Sequence, residues 1–274
     1  MTRPWFLQFD WEKYMIMQMI TSKNNAKVKH VVDLQKHAKA RTEQKAYVIE
    51  GLKMFEELPR ESIIEVYASS QFANVNAKLL RDLPVEEVSE SVFAQMSDTK
   101  TPQGILCVVK QPEYGLDDLL TAKQPFLLVL EDLQDPGNVG TIFRTAEGAG
   151  VDGIILSKNC VDVYNPKVVR GAMGSLARVP FLYEEDLAMV VNKLKGASVA
   201  TYAAHLDGNK MYDTANYKEG CAFLIGNEGN GLSNKLAASA DELVKIPMGG
   251  EVESLNAAIA ATILMYECAR QRRS

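Results

Sequence analysis

The second half of the chain alternates short apolar runs with segments of helical composition, and this alternation restricts the folds open to it more than any other feature. The runs 'FLLVLED', 'GIILS', 'ASVATYAA', 'CAFLIG' and 'ELVKIPM' are each one strand long. They are nearly continuously apolar, as parallel strands buried on both faces must be. Between and after them, 'VGTIFRTAEGAG', 'NPKVVRGAMGSLA', 'EDLAMVVNKLKG', 'SNKLAASA' and 'SLNAAIAATILMYECARQRR' read as helices. The pattern predicts an open α/β sheet with helices on both faces. Ligands of such sheets bind beyond the carboxyl ends of the strands, so the segments just after the apolar runs are where chemistry is to be sought.

The first half has a different texture. 'AYVIEG', 'IIEVYAS', 'VEEVS' and 'GILCVVK' read as short strands separated by helical pieces such as 'LKMFEEL' and 'NVNAKLLRDL'. At 274 residues two domains are expected. We place a small α/β domain at 20–110, a Pro- and Gly-containing linker at 111–124 and the sheet domain at 125–274. Residues 1–19 read as an extension, either disordered or the product of an upstream start, with the core beginning near Met17 or Met19. From Ser22, 'SKNNAKVKHVVDLQKHAKAR' spaces Val28, Val31, Val32, Leu34 and Gln35 as one amphipathic helix. Lys23, Lys27, Lys29, Lys36, Lys39, Arg41 and Lys45 make that segment basic, although the whole chain carries a net charge of −5.

No stretch of 18 or more residues is uninterruptedly apolar and no cleavable leader pattern opens the chain, which points to a cytoplasmic protein without a membrane span. The four cysteines, Cys107, Cys160, Cys221 and Cys268, lie far apart with no C-x-x-C pair. Neither a metal site nor a disulfide framework is indicated.

Three clusters follow the strands. In 'QDPGNVGTIFRTAEGAG', residues 134–150, Asn138 is placed to cap a helix and Gly150 to end it. Arg144 is left over on an apolar, small-residue helix, where it either caps a neighbouring element or serves a site. In 'FLIGNEGNGLS' three glycines fall within six positions, with Asn227 and Glu228 between them. The backbone approaches something closely there, but the G-x-x-G-x-G spacing is neither a Walker loop nor a dinucleotide fingerprint. In 'VKIPMGGEVESLNAAIAATILMYE' a strand ends in Ile246-Pro247-Met248, Ser254 is a candidate cap, and Asn256 falls in the first turn of an Ala-rich helix. Together the clusters bring amides, one carboxylate and one Arg to one edge of the sheet, which suggests a small-molecule pocket. His205, the lone His of the second half, sits in 'YAAHLDG' with no triad partners.

These three motifs, in this order, resemble those of the SpoU-type (TrmH-like) RNA 2'-O-ribose methyltransferases of the SPOUT class. 'SKNNAKVKHVVDLQKHAKAR', 'YVIEGLKM' and 'TPQGILCVV' resemble the family's ribosomal-protein-like substrate-binding domain. The resemblance implies a trefoil knot in the second domain, a homodimer, S-adenosyl-L-methionine as cofactor, and methyl transfer to a ribose 2'-hydroxyl of RNA. It carries catalytic positions onto Asn138, Arg144, Glu228 and Asn256, and cofactor contacts onto Thr201, Gly226, Asn227, Ile246, Pro247, Met248, Leu255 and Asn256. Lys23, Lys27, Lys29 and Arg41 of the basic helix, with Lys167 and Arg170 of 'NPKVVRG', are the expected phosphate contacts. No metal is needed. Ribosomal RNA is the favoured substrate because of the appended domain; transfer RNA and a non-catalytic RNA-binding protein are the alternatives.

Overall fold

A computed structural model describes residues 19–81 and 83–273; the segment read as an extension lies outside them up to residue 18. The first domain begins with α1 (Ala26–Lys36), capped by Asn25, whose side chain accepts from the Lys27 N–H. The expected single basic helix is two. His37 is extended (φ −121°) and α2 (Ala38–Gln44) restarts after it. The Arg41 guanidinium donates to the Leu34 and Gln35 carbonyls at the broken end, supplying donors that helix termini lack.

Then come β1 (Ala46–Glu50), α3 (Leu52–Glu57), β2 (Ile63–Ser69), α4 (Ser70–Val75), β3 (Val85–Val88), α5 (Glu90–Met96) and β4 (Ile105–Lys110). The strands form one sheet in the order β1-β4-β2-β3. The helix expected over 'NVNAKLLRDL' does not form: α4 precedes most of it, and turns follow Asn76.

After α6 (Leu116–Leu119) the second sheet begins. Its elements are β5 (Phe126–Leu130), α7 (Pro136–Ala149), β6 (Gly153–Ser157), α8 (Pro166–Ala172), β7 (Phe181–Glu184), α9 (Leu187–Gly196), β8 (Ala200–Ala204), β9 (Lys210–Met211), β10 (Cys221–Ile225), α10 (Asn234–Ser239), β11 (Glu242–Lys245) and α11 (Ala257–Arg272). The seven strands run in the order β7-β6-β5-β10-β8-β11-β9, every pairing parallel. The short edge strands β7 and β9 went unread in the sequence. Helix α8 stops at Met173, in the left-handed region (φ 49°), so 'NPKVVRGAMGSLA' is not one helix.

The apolar runs divide by parity. Phe126, Leu128, Leu130, Phe223 and Ile225 face α7, α8 and α11, whereas Leu127, Val129, Ala222 and Leu224 face α9 and α10. The first of these cores continues into the other domain through Tyr47, Ile49, Ile105 and Cys107. Where α7 crosses α8, Gly140 lies against Gly171: a methyl added at Gly140 would sit 2.9 Å from the Val168 carbonyl and 3.0 Å from the Gly171 Cα. Both obstacles are backbone and cannot rotate away. Gly140→Val is therefore expected to lower stability by about 1–3 kcal/mol, read as a lower urea midpoint; an unchanged midpoint would contradict this helix contact.

Candidate functional site

The site grows from the carboxyl ends of three strands. After β5 the chain turns at Asp132 (φ 54°) and enters α7. Its cap is Asp135, not Asn138: the Asp135 carboxylate accepts from the Asn138 N–H at 2.9 Å, and Pro136 occupies the first helical position. Proline's fixed φ and missing donor suit that place, which makes the preceding residue the cap. The Asn138 side chain is thereby free to act elsewhere.

After β10 the loop 226–231 closes on itself through Asn227. Its N–H and carbonyl pair with Gly231 at 3.0 and 2.9 Å, its Oδ1 accepts from the Gly229 and Asn230 N–H groups, and its Nδ2 donates to the Asp132 carbonyl at 2.7 Å. Gly226 is required by approach: a Cβ there would lie 2.1 Å from Gly231 and Leu232 backbone atoms. After β11 the cap of α11 is Asn256, not Ser254. Its Oδ1 accepts from Ala258 N at 2.9 Å and Ile259 N at 3.3 Å.

The three segments meet in one chain of side-chain hydrogen bonds. Asn256 Nδ2 donates to Asn138 Oδ1 at 2.9 Å, and Asn138 Nδ2 donates to Glu228 Oε1 at 3.0 Å. Glu228 also accepts from the backbone N–H groups of Asp135 at 3.1 Å and Gln134 at 3.2 Å. Partial burial pushes the Glu228 carboxyl up, but these donors outweigh it and hold it below its ordinary value. Glu228 is thus an ionised acceptor tying the loop of β10 to the head of α7.

Beside this chain lies a cavity of about 390 Å³, within the size range of small-molecule sites, roughly 300–1,000 Å³. Gly226, Asn227, Glu228, Ile246, Met248 and Leu255 line it. Thr201 does not: it is buried near the start of β8, bonded to Asp241 at 2.7 Å, and Ala204 and His205 at that strand's end border the cavity instead. Pro247 is exposed and absent from the wall, and Asn256 reaches Asn138, not the cavity. Sequence reading missed Ala204, His205 and Leu206; counting to the end of 'ATYAA' would have found them.

Arg144 is exposed on α7, six residues beyond Asn138 and roughly 9 Å further along the axis at about 1.5 Å per residue. The single chain does not bring it to the other three residues. Of the expected phosphate contacts, Arg41 is excluded: it is 3% exposed and paired with Asp162 at 2.7 Å. Arg170 pairs with Asp98, Lys27 with Glu86, and Lys167 lies 3.8 Å from Asp135; Lys23 and Lys29 are exposed. Among the described residues no His, Cys, Asp and Glu group is arranged to hold a metal, and no helix is long and apolar enough to cross a membrane.

The profile of the SpoU rRNA methylase family matches residues 125–266, which contain all three segments. The chain belongs to this family. An MRM3-like substrate-binding domain profile matches residues 25–107. Among relatives, the 23S rRNA (guanosine(2553)-2'-O)-methyltransferase RlmP of Bacillus subtilis is 34% identical over 251 residues, covering 91% of this chain and 98% of that one. Two solved methyltransferase structures are similar over nearly their whole length. The methyltransferase AviRb of Streptomyces viridochromogenes, in complex with the cofactor AdoMet, superposes with a TM-score of 0.82 at 26% identity, covering 91% of this chain and 99% of that one. An AdoMet-bound rRNA methyltransferase from Sinorhizobium meliloti gives 0.82 at 33% identity, covering 92% and 97%. The α/β fold of this SpoU chain, with its N-terminal substrate-binding domain, is thus shared with these enzymes.

Two outcomes follow from the hydrogen-bond chain. Asn256→Ala removes a helix cap and should cost about 1 kcal/mol in urea unfolding; no loss would contradict the capping assignment. Glu228 has a native pKa below its unfolded value of about 4.3, so its contribution to stability is complete above that value and fades as pH falls through the native one. Urea midpoints measured from about pH 5 down to about pH 3 should therefore fall more steeply for wild type than for Glu228→Gln, and identical slopes would contradict the assignment.

Proposed function

We propose that this SpoU-family chain uses S-adenosyl-L-methionine to methylate a ribose 2'-hydroxyl of ribosomal RNA. The observation that carries the reading is the joining of Asn256, Asn138 and Glu228 beside a cavity of suitable size. The fit to the cofactor is chemical. Ile225, Ile246, Met248 and Leu255 offer apolar walls for a nucleoside, and Glu228 and Glu253 offer carboxylates at the same cavity to a cationic sulfonium. When bound, the cofactor supplies an electrophilic methyl group.

The chain's own residues bind and orient. Asn138, gripped from both sides, is a fixed amide bonded to Glu228, which lines the cavity, and is suited to hold a ribose oxygen. Glu228, committed to several donors, orients Asn138 more than it removes a proton. A free guanidinium stays protonated in proteins, so Arg144 serves to orient and to stabilise negative charge on the ribose oxygen, and the hydroxyl proton passes to water as the methyl group leaves the sulfur.

Arg144 requires a second copy of the chain in this reading. On α11, Ile259 and Tyr266 are 50% and 46% exposed. The Tyr266 hydroxyl lies 3.3 Å from the position of a Cβ on Gly148, one helical turn from Arg144. This partly apolar face of α7 and α11 supports a homodimer in which each Arg144 completes the partner's site. The family's trefoil knot belongs to the same proposal, as does a cytoplasmic location.

Residues 20–110 act as the RNA-binding domain, joined through 111–124 to a methyltransferase domain at 125–274. Lys23 and Lys29 supply phosphate contacts on the first, and Lys167, beside the head of α7, on the second. The name of the Bacillus subtilis relative supports ribosomal RNA.

The test is incorporation of labelled methyl from S-adenosylmethionine into ribosomal and transfer RNA. Ribosomal RNA should be labelled at a 2'-hydroxyl. Labelling of transfer RNA alone would shift the substrate, and cofactor binding without transfer would favour a non-catalytic RNA-binding protein. Arg144→Ala should abolish transfer while leaving cofactor affinity within about twofold, since Arg144 is remote from the cavity. Mixing Arg144→Ala with Glu228→Ala subunits should restore part of the activity, because one site in each mixed dimer is intact; no recovery would contradict the shared site.

A further inference from the structure

The first domain is held to the second by more than the linker. Arg41, at 3% exposure, lies at the centre of one contact. Its Nε and Nη2 reach Asp162 Oδ2 at 2.8 and 2.7 Å, and its Nη1 donates to the Leu34 and Gln35 carbonyls at 2.7 and 3.0 Å. Asp162 in turn accepts from the Tyr164 N–H at 2.9 Å, and the Tyr164 ring lies 4.6 Å from that of Tyr47 in β1. A second contact joins Arg170 of α8 to Asp98. The loop bearing Asp98 is tied down by Glu50, which accepts the Ser97 and Thr99 hydroxyls at 2.7 and 2.8 Å and the Asp98 N–H at 3.2 Å. In a third, Arg178 donates to Glu57 at 3.0 Å and to Glu147 of α7 at 2.9 Å.

All three contacts land on one stretch of the second domain, at residues 162, 170 and 178. That stretch contains α8, and α8 crosses α7 at the Gly140–Gly171 contact, where neither helix can shift without backbone collision. Helix α7 carries Asn138. A rigid path therefore runs from the basic helices α1 and α2, through Arg41 and Asp162, to Asn138 and through it to Glu228 in the cavity wall. Domains that move independently meet through small, polar interfaces. This interface has a continuous apolar core and a buried guanidinium that separation of Arg41 from Asp162 would leave unpaired.

We propose that Arg41–Asp162, Arg170–Asp98 and Arg178–Glu57 are positioning pairs that hold the substrate-binding domain at one fixed distance from the cavity, and that this fixed distance selects which ribose of the RNA is methylated. The proposal rests on the 2'-O-methyl transfer argued above. It assigns the three arginines to the protein interior and the domain boundary, not to RNA phosphates.

The test removes the acidic partners, so that no cation is lost. The variants are Asp98→Asn with Glu57→Gln, and separately Asp162→Asn. If the arginines contacted phosphate, freeing them would leave the KM for ribosomal RNA unchanged or lower it. The lock predicts the opposite: KM rises about tenfold, a change of ~1.4 kcal/mol, kcat and cofactor affinity change little, and 2'-O-methylation mapped along the RNA spreads to neighbouring riboses. Because Asp162→Asn strands a buried Arg and can unfold the protein, the double variant carries the test, and the reversed pair Asp98→Arg with Arg170→Asp, made together with Glu57→Gln, should narrow the site choice again. Unchanged KM and a single methylated ribose in the double variant would overturn the proposal. If wild type transfers no methyl to RNA, the proposed activity fails instead. The lock is then read by spin-label distances between the domains, which should be narrow in wild type and broad in the double variant; equal widths would overturn it.

Discussion

Three side chains that lie 90 and 118 residues apart in sequence hold the site together: Asn256 donates to Asn138, and Asn138 donates to Glu228. Asparagine suits the middle position because its amide offers an acceptor on one side and donors on the other. Aspartate at 138 would repel Glu228, and leucine would leave both neighbours without it. Each outer residue has a second anchor. Asn256 caps α11, and Glu228 takes two backbone N–H groups at the entry to α7. The ends of β5, β10 and β11 are thereby fixed relative to one another, and the cavity exists because they are.

Much of the scaffold was legible because burial on both faces leaves a plain mark: five of the seven parallel strands are runs such as 'FLLVL' and 'CAFLI'. The two that were missed are the edge strands, where one side lacks a neighbour and the run shrinks to 'FLYE' or 'KM'. The caps were readable in kind but not in position. 'DPGN' and 'ESLN' each offer two capping residues, and only the placement of Pro136 at the first helical position decides the former. The distinction matters chemically, since Asp135 does the capping and the Asn138 side chain reaches Glu228 and Asn256 instead.

Other errors arose where a tertiary partner overrides local chemistry. Arg41 lies in a run rich in lysines and reads as one more phosphate contact, yet Asp162, 121 residues away, takes it into the interior. The resemblance carries a cofactor contact onto Thr201, yet Asp241 holds Thr201 inside the sheet, and the end of its strand is Ala204, three residues further on. Arg144 is different again. Sequence singles it out, and the single chain leaves it exposed on α7, one helical turn from Gly148; its place in the site is part of the dimer proposal.

The most direct measurement is a crystal structure with S-adenosylmethionine bound. The account predicts the ligand between the loop 226–231 and residues 246–255, its adenosine against Ile246 and Leu255, and its methyl on the side of Asn138 and Glu228. A ligand bound elsewhere, or in this cavity with its methyl turned away from Asn138, would contradict the account.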